Sequence, residues 1–165
     1  HLYSHTVPQR ADIVICSSGG YPYDVDMVQA KKTLAPALEC VKPGGVVILL
    51  GECERGWGAS EPEWALLRSE TVLQKREEIT RSMAQSQLHD AWPPCSPGVL
   101  FSRVVHDAGA SLIVVSRLNS QLKDTYLQPA DDLASALALA EERVGKQSTI
   151  LALHEGRRTI CTVLS

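Results

Sequence analysis

The sequence predicts a three-layer α/β domain with a mostly parallel sheet and a C-terminal hairpin. Three observations carry this. Short apolar, β-branched runs alternate along the chain with longer stretches of helical periodicity. The connection between the first two runs is long enough for a helical crossover, which implies parallel pairing of right-handed topology. The 165 residues suit one domain with one sizeable core.

Each element follows from its residues. Residues 1–10, HLYSHTVPQR, are polar and proline-bearing and read as a linker from a missing N-terminal domain, residual tag sequence being the plainer alternative; residues 11–165 then form the α/β domain. Ala11–Cys16 is a candidate buried strand. Ser17–Tyr23 carries two glycines and a proline and marks a loop. From Asp24 to Val41 the residues Val25, Val28, Leu34, Leu38 and Val41 recur at roughly helical spacing, and Asp24 is placed to cap the start. Pro36 should kink or split this helix, because it lacks a backbone donor. Lys42-Pro43-Gly44-Gly45 ends it, and Val46–Leu50 is the second strand. Gly51–Gly58 is a glycine-rich loop. Glu61–Gln87 reads as helical in two pieces, with Trp64, Leu67 and Leu73 on a buried face, and the prolines around Trp92 break the chain. Val99–Asp107 is a short helix, Ala110–Val115 the third strand, and Ala130–Val144 an Ala/Leu-rich helix. Ser148–Leu153 and Thr159–Leu164 are two last strands, joined by a gap that suits a hairpin turn. The whole is a Rossmann-like arrangement.

Composition narrows the function. Hydrophobic residues make up 44% and charged residues 21%, both globular values. A net charge of −3 and no Lys/Arg cluster argue against nucleic acid. No run approaches the ~20 apolar residues that span a bilayer, and no signal-peptide pattern opens the chain. Five cysteines, Cys16, Cys40, Cys53, Cys95 and Cys161, form no CxxC pair. They read as buried free thiols in a reducing compartment, so the cytoplasm is the expected location and no membrane partner is expected.

In open α/β sheets ligands bind beyond the carboxyl ends of the strands. The loop Ser17–Tyr23 is the richest candidate there: Ser18, Gly19, Gly20 and Tyr21 let a ligand approach the backbone, and the amides precede a helix N-terminus that would favour an anion. A plain strand-to-helix turn is the alternative. Gln29 and Lys32 lie three apart and share a helix face, where an amide beside an ammonium suits a small carboxylate. A solvated face is the alternative there too. Trp92 either walls a pocket or packs in the core. The histidines (His1, His5, His89, His106 and His154) are scattered, and none pairs with another His or a Cys at ligand spacing, so no zinc or nickel site is expected within this chain. Cys95 has no activating base beside it in sequence. No GxSxG, P-loop or strand-following GxGxxG occurs. Catalytic groups would therefore come from another domain.

The string ADIVICSSGGYPYDVDMVQAKKTLAPALECVKPGGVVILLGECERGWG resembles the C-terminal domain of the lactate racemase family, which uses a nickel-pincer nucleotide. Its pattern is a strand ending in S-x-G-G-Y-P, an acidic residue, Q-A-x-K on a helix, then G-G-V-I-L. The likeness is tight over Ala11–Gly58 and looser through Trp92 and the SLIVVS strand. The resemblance implies racemisation or epimerisation of 2-hydroxy acids by reversible hydride transfer, a histidine taking the hydroxyl proton while the C2 hydride leaves and returns on either face. It further implies that the cofactor-tethering lysine, the nickel-binding histidine and the acid/base histidines belong to the N-terminal domain. This chain would then bind no cofactor and be inactive alone, while its Gln29, Lys32 and Trp92 help hold the substrate. Val28 precedes Gln29, so lactate itself is not presumed. Two other readings compete. The segment through LECVKPGGVVILL resembles a Rossmann-type methyltransferase, although no glycine-rich strand-loop lies upstream. A non-catalytic regulatory or scaffold module would keep the same fold.

Overall fold

The computed structural model describes residues 4–58, 97–123 and 125–164. Its strands are β1 (Ser4–Val7), β2 (Ala11–Ser17), β3 (Val41–Leu50), β4 (Ser111–Val115), β5 (Gln128–Ala130), β6 (Ile150–Leu153) and β7 (Ile160–Val163). Its helices are α1 (Met27–Ala30), α2 (Leu34–Cys40), α3 (Pro97–Ser102), α4 (Asn119–Leu122) and α5 (Leu133–Val144). Five strands form a wholly parallel sheet in the order β5-β4-β3-β2-β6, and β1 and β7 form a separate parallel pair.

The central strands are apolar on both faces because helices cover both. Val14, Cys16, Val47, Leu49, Leu112 and Val114 face α1, α2 and α3, meeting Met27, Leu34, Leu38 and Phe101. Ile13, Val46, Ile48 and Ile113 face the other way and meet Ala136 and Ala140 of α5. Those two alanines are one helical turn apart, and their small side chains let α5 lie close to the sheet. Asp132 starts α5 with a capping box: its carboxylate accepts from the Ser135 amide at 2.7 Å, while the Asp132 amide donates back to Ser135 Oγ at 3.1 Å. This is the three-layer, mostly parallel architecture expected from the sequence.

Several expectations need correction. The terminal hairpin does not form. β6 adds to the edge of the main sheet beside β2, whereas β7 pairs in parallel with β1. The turn Gly156–Arg158 carries the chain from one sheet to the other instead of folding it back. Within the stretch read as a linker, Ser4–Val7 is the strand β1. β3 starts at Val41 rather than Val46 and runs through Lys42-Pro43-Gly44-Gly45, its pairing with β2 shifting register between Ala11 and Ile13. Gly45 is required there, because a Cβ would stand 2.7 Å from the Asp12 carbonyl oxygen. Asp26, not Asp24, caps α1. The expected Ala130–Val144 helix starts three residues later, at Leu133, and Ala130 instead ends a short strand, β5, that sequence reading missed. Cys40 and Cys161 pair as a disulfide, tying the end of α2 to β7 across a sequence separation of 121, so these two are not free thiols. Cys16 and Cys53 are free and buried.

Pro36 acts as expected. The helix is split into α1, a 3-10 turn at Lys31–Thr33, and α2, and Pro36 falls in the first turn of α2, where its missing donor is tolerated. The helices expected between Glu61 and Gln87, with Trp64, Leu67 and Leu73, lie outside the described residues. Among the described residues no helix is long and apolar enough to cross a membrane.

At the amino end of the sheet Asp12 ties three strands together. Its carboxylate accepts from Lys42 Nζ at 2.8 Å, from the Thr149 amide at 2.8 Å and from Thr149 Oγ1 at 2.6 Å. The Lys42 and Thr149 hydrogen bonds hold its carboxyl well below the ordinary value of 3.8. A depressed folded value means that this stabilisation is present above that ordinary value and is lost as pH falls below it. Asp12→Asn is therefore expected to lower Tm at neutral pH and to flatten the acid-side fall of the Tm–pH curve; an unchanged curve refutes the role of Asp12. Burial raises both the Cys16 and the Cys53 thiols to about 12. Peptide mass mapping should find both unlabelled by iodoacetamide at mildly alkaline pH in the folded protein and fully labelled once it is unfolded.

Candidate functional site

Parallel strands deliver their exit loops to one edge, and four loops meet there: 17–23 after β2, 51–58 after β3, 116–118 after β4 and 154–158 after β6. The first two are stitched together. The Cys53 amide donates to the Asp24 carbonyl at 2.8 Å, the Arg55 amide to the Val25 carbonyl at 2.9 Å, and the Met27 amide to the Gly56 carbonyl at 3.2 Å. The Glu52 amide adds a bond to the Asp24 carboxylate at 3.2 Å. Asp26 then caps α1 by accepting from the Gln29 amide at 2.8 Å. Gly58, with φ of 71°, lies so close that a Cβ would stand 2.7 Å from Asp26 Cγ. Beneath this lattice Trp57 packs on Phe101 with ring centroids 5.8 Å apart.

The lattice fixes where α1 starts, and therefore where Gln29 and Lys32 stand. Lys32 is exposed and its Nζ donates to Gln29 Oε1 at 2.7 Å, while its neighbour Lys31 is buried. That bond orients the Gln29 side chain. Its carbonyl is taken by the ammonium, so the Nε2 donor end and two ammonium protons remain to receive an acceptor. A group of N–H donors around one positive charge is a carboxylate-recognition arrangement. The expected pairing of these two residues on one face is present.

The loop expected to receive a ligand divides in two. Ser18 is buried and its Oγ donates to the Ala30 carbonyl at 3.3 Å, which fastens β2 to the end of α1. Gly19, Gly20 and Tyr21 are more open: Gly19 and Gly20 have positive φ (88° and 80°), and Tyr21 is 71% exposed. The expected anion site at the helix start is already filled, since the Asp26 carboxylate occupies it and the Gly19 amide is bonded to Ser17 Oγ at 3.2 Å. Trp92 and Cys95 lie outside the described residues. His106 packs edge-on against Tyr126, 6.1 Å between centroids, on the stretch before β4.

Sequence reading missed the fourth loop. Arg157 and Arg158 lie over the ring of Tyr23, 4.4 and 5.0 Å from its centroid, and Arg158 donates to the Tyr23 hydroxyl at 2.6 Å. Arg158 also faces Glu155 at 3.7 Å. The signal available was a Gly-Arg-Arg exit from an apolar strand, which the hairpin reading consumed. Among the described residues no three or more His, Cys, Asp or Glu side chains converge to hold a metal ion, so these residues do not fit a nickel centre.

The family described as the lactate racemase C-terminal domain matches residues 6–161. A lactate racemase of Thermoanaerobacterium thermosaccharolyticum is 30% identical over 146 residues, covering 88% of this chain but 33% of that protein. The structure of the lactate racemase apoprotein from the same organism superposes with a TM-score of 0.79 at 26% identity, covering 96% of this chain and 37% of that one. The chain thus spans about a third of the length of the relative it matches. Lys42-Pro43-Gly44-Gly45 and the rest of β3 fall inside the matched span, which sets the methyltransferase likeness aside. The chain belongs to the lactate racemase C-terminal domain family.

Proposed function

We propose that this domain is the substrate-clamping part of a racemase or epimerase of 2-hydroxy acids, completed by an N-terminal catalytic domain of the same protein. The observation that carries the reading is the Gln29–Lys32 donor array at the carboxyl edge of the sheet, in a chain of this family. In such a protein a nickel-pincer nucleotide would be held by the other domain and would supply the hydride-accepting chemistry. This chain's residues do something simpler: Lys32 and the Gln29 amide receive the substrate carboxylate. The clamp holds the acid still while charge moves at C2, which lowers the entropic part of the barrier. The isolated domain, without acid/base histidines, is inactive. Val28, half-buried beside Gln29, leaves the choice of acid open beyond lactate. The cytoplasm is the setting that the buried thiols of Cys16 and Cys53 favour, while the Cys40–Cys161 pair is the feature that calls for oxidising conditions.

A chiral assay of the cofactor-loaded full-length protein on a panel of 2-hydroxy acids tests this. Lys32→Ala should lower kcat/KM by about tenfold to a hundredfold, the worth of a charge-assisted hydrogen bond, and Gln29→Ala by less. Racemisation untouched by either substitution refutes the clamp, whereas no turnover of any acid by the loaded protein refutes the whole reading and favours a regulatory module. Asp26→Ala removes the cap of α1, which should cost about 1 kcal/mol of stability and raise KM by less than Lys32→Ala does.

A further inference from the structure

Arg157 is half-buried, stacked on Tyr23, and has no carboxylate within ion-pairing distance among the described residues. Its neighbour Arg158 is already engaged, by the Tyr23 hydroxyl and by Glu155. A guanidinium lying over an aromatic ring is held by its face, while its N–H donors remain in plane and free for a bidentate acceptor. The stack also adjoins the clamp. Gly156 is buried against Thr33, where an added Cβ would stand 3.0 Å from Thr33 Cβ, so the turn bearing Arg157 packs onto the Lys31–Thr33 turn that carries Lys32. Tyr23 stands on the segment leading into α1. Two cationic donor groups therefore stand on contacting turns at one sheet edge: the Gln29–Lys32 pair and a preorganised guanidinium with no carboxylate partner among the described residues.

We propose that the Tyr23–Arg157–Arg158 stack is a second anion subsite beside the Gln29–Lys32 clamp, making 2-hydroxy acids with a second anionic group the preferred substrate class. The proposal rests on the reading of Gln29 and Lys32 as a clamp for a 2-hydroxy acid. Arg157 receives the second anion in a fork of two N–H bonds. Arg158 and Glu155 are positioning residues that hold the Tyr23 ring beneath it. A monoanionic acid such as lactate leaves Arg157 unused.

The test is equilibrium binding of lactate, malate and 3-phosphoglycerate to the full-length protein. The last two carry the second anion as carboxylate and as phosphate, so the tighter of them names the group. At least one should bind about tenfold more tightly than lactate, the worth of one charge-assisted contact. Arg157→Ala should erase that preference and leave lactate affinity unchanged, and Arg157→Lys should restore part of it. Lys32→Ala should weaken all three. Lactate binding with no preference for either dianion, or a preference that survives Arg157→Ala, overturns the subsite alone. Failure of all three acids to bind overturns the clamp and the subsite together.

Discussion

The backbone bonds between residues 24–27 and 52–56 are the constraint on which the candidate site depends. A helix of four residues cannot hold itself in water, since nucleating a turn costs more than so short a helix returns. α1 exists because its first residues are bonded to a neighbouring loop and because Asp26 supplies its cap. Each such bond contributes about 1 kcal/mol net, so the lattice outweighs what α1 could contribute alone. The spacing of Gln29 from Lys32 is a property of the helix, but their position at the sheet edge is a property of the loop after β3. That is why Gly58 matters to residues it never touches: any side chain there would push Asp26, and with it the start of α1.

Charge is distributed about this edge with a consistent logic. Asp24 and Asp26 are spent on backbone amides, and Asp26 sits at the helix start where an incoming anion would otherwise go. Together with burial, they raise the Cys53 thiol and keep it an inert packing group rather than a nucleophile. Among the described residues that keep donor capacity at this edge are Gln29, Lys32 and Arg157, all positive or amide in character. Arg117 and Glu52 satisfy each other across the exits of β4 and β3, so that part of the rim is closed. The surface that remains is suited to hold an anion, and among the described residues no group of three or more His, Cys, Asp or Glu side chains converges to hold a metal.

Much of this was legible in the sequence. Apolar runs such as ADIVIC and VVILL announce buried parallel strands, because only a sheet covered on both faces tolerates apolar residues at successive positions. The i, i+3 spacing of Gln29 and Lys32 announces a shared face. What was hidden depends on partners far away in sequence. β6 and β7 carry similar apolar residues and a polar gap, which is also what a hairpin looks like; only β1, at the other end of the chain, decides that β7 belongs elsewhere. Cys40 and Cys161 are hidden for the same reason, 121 positions apart with no local motif. Asp24 and Asp26 are equally good caps by composition, and the choice falls to the loop that bonds Asp24. Arg157 and Arg158 read as solvated turn residues until Tyr23 is found beneath them. β5, three residues long with a proline at its centre, has too little pattern to separate it from the helix that follows.

The pairing of the first described strand with the last has a mechanical consequence. β1 and β7 run in the same direction, so the chain enters the ribbon at one end and leaves it at the other. A tension applied between neighbouring parts of the protein through those two points loads the β1–β7 hydrogen bonds together, along the strands, rather than peeling them one after another. Bonds loaded side by side yield as a group.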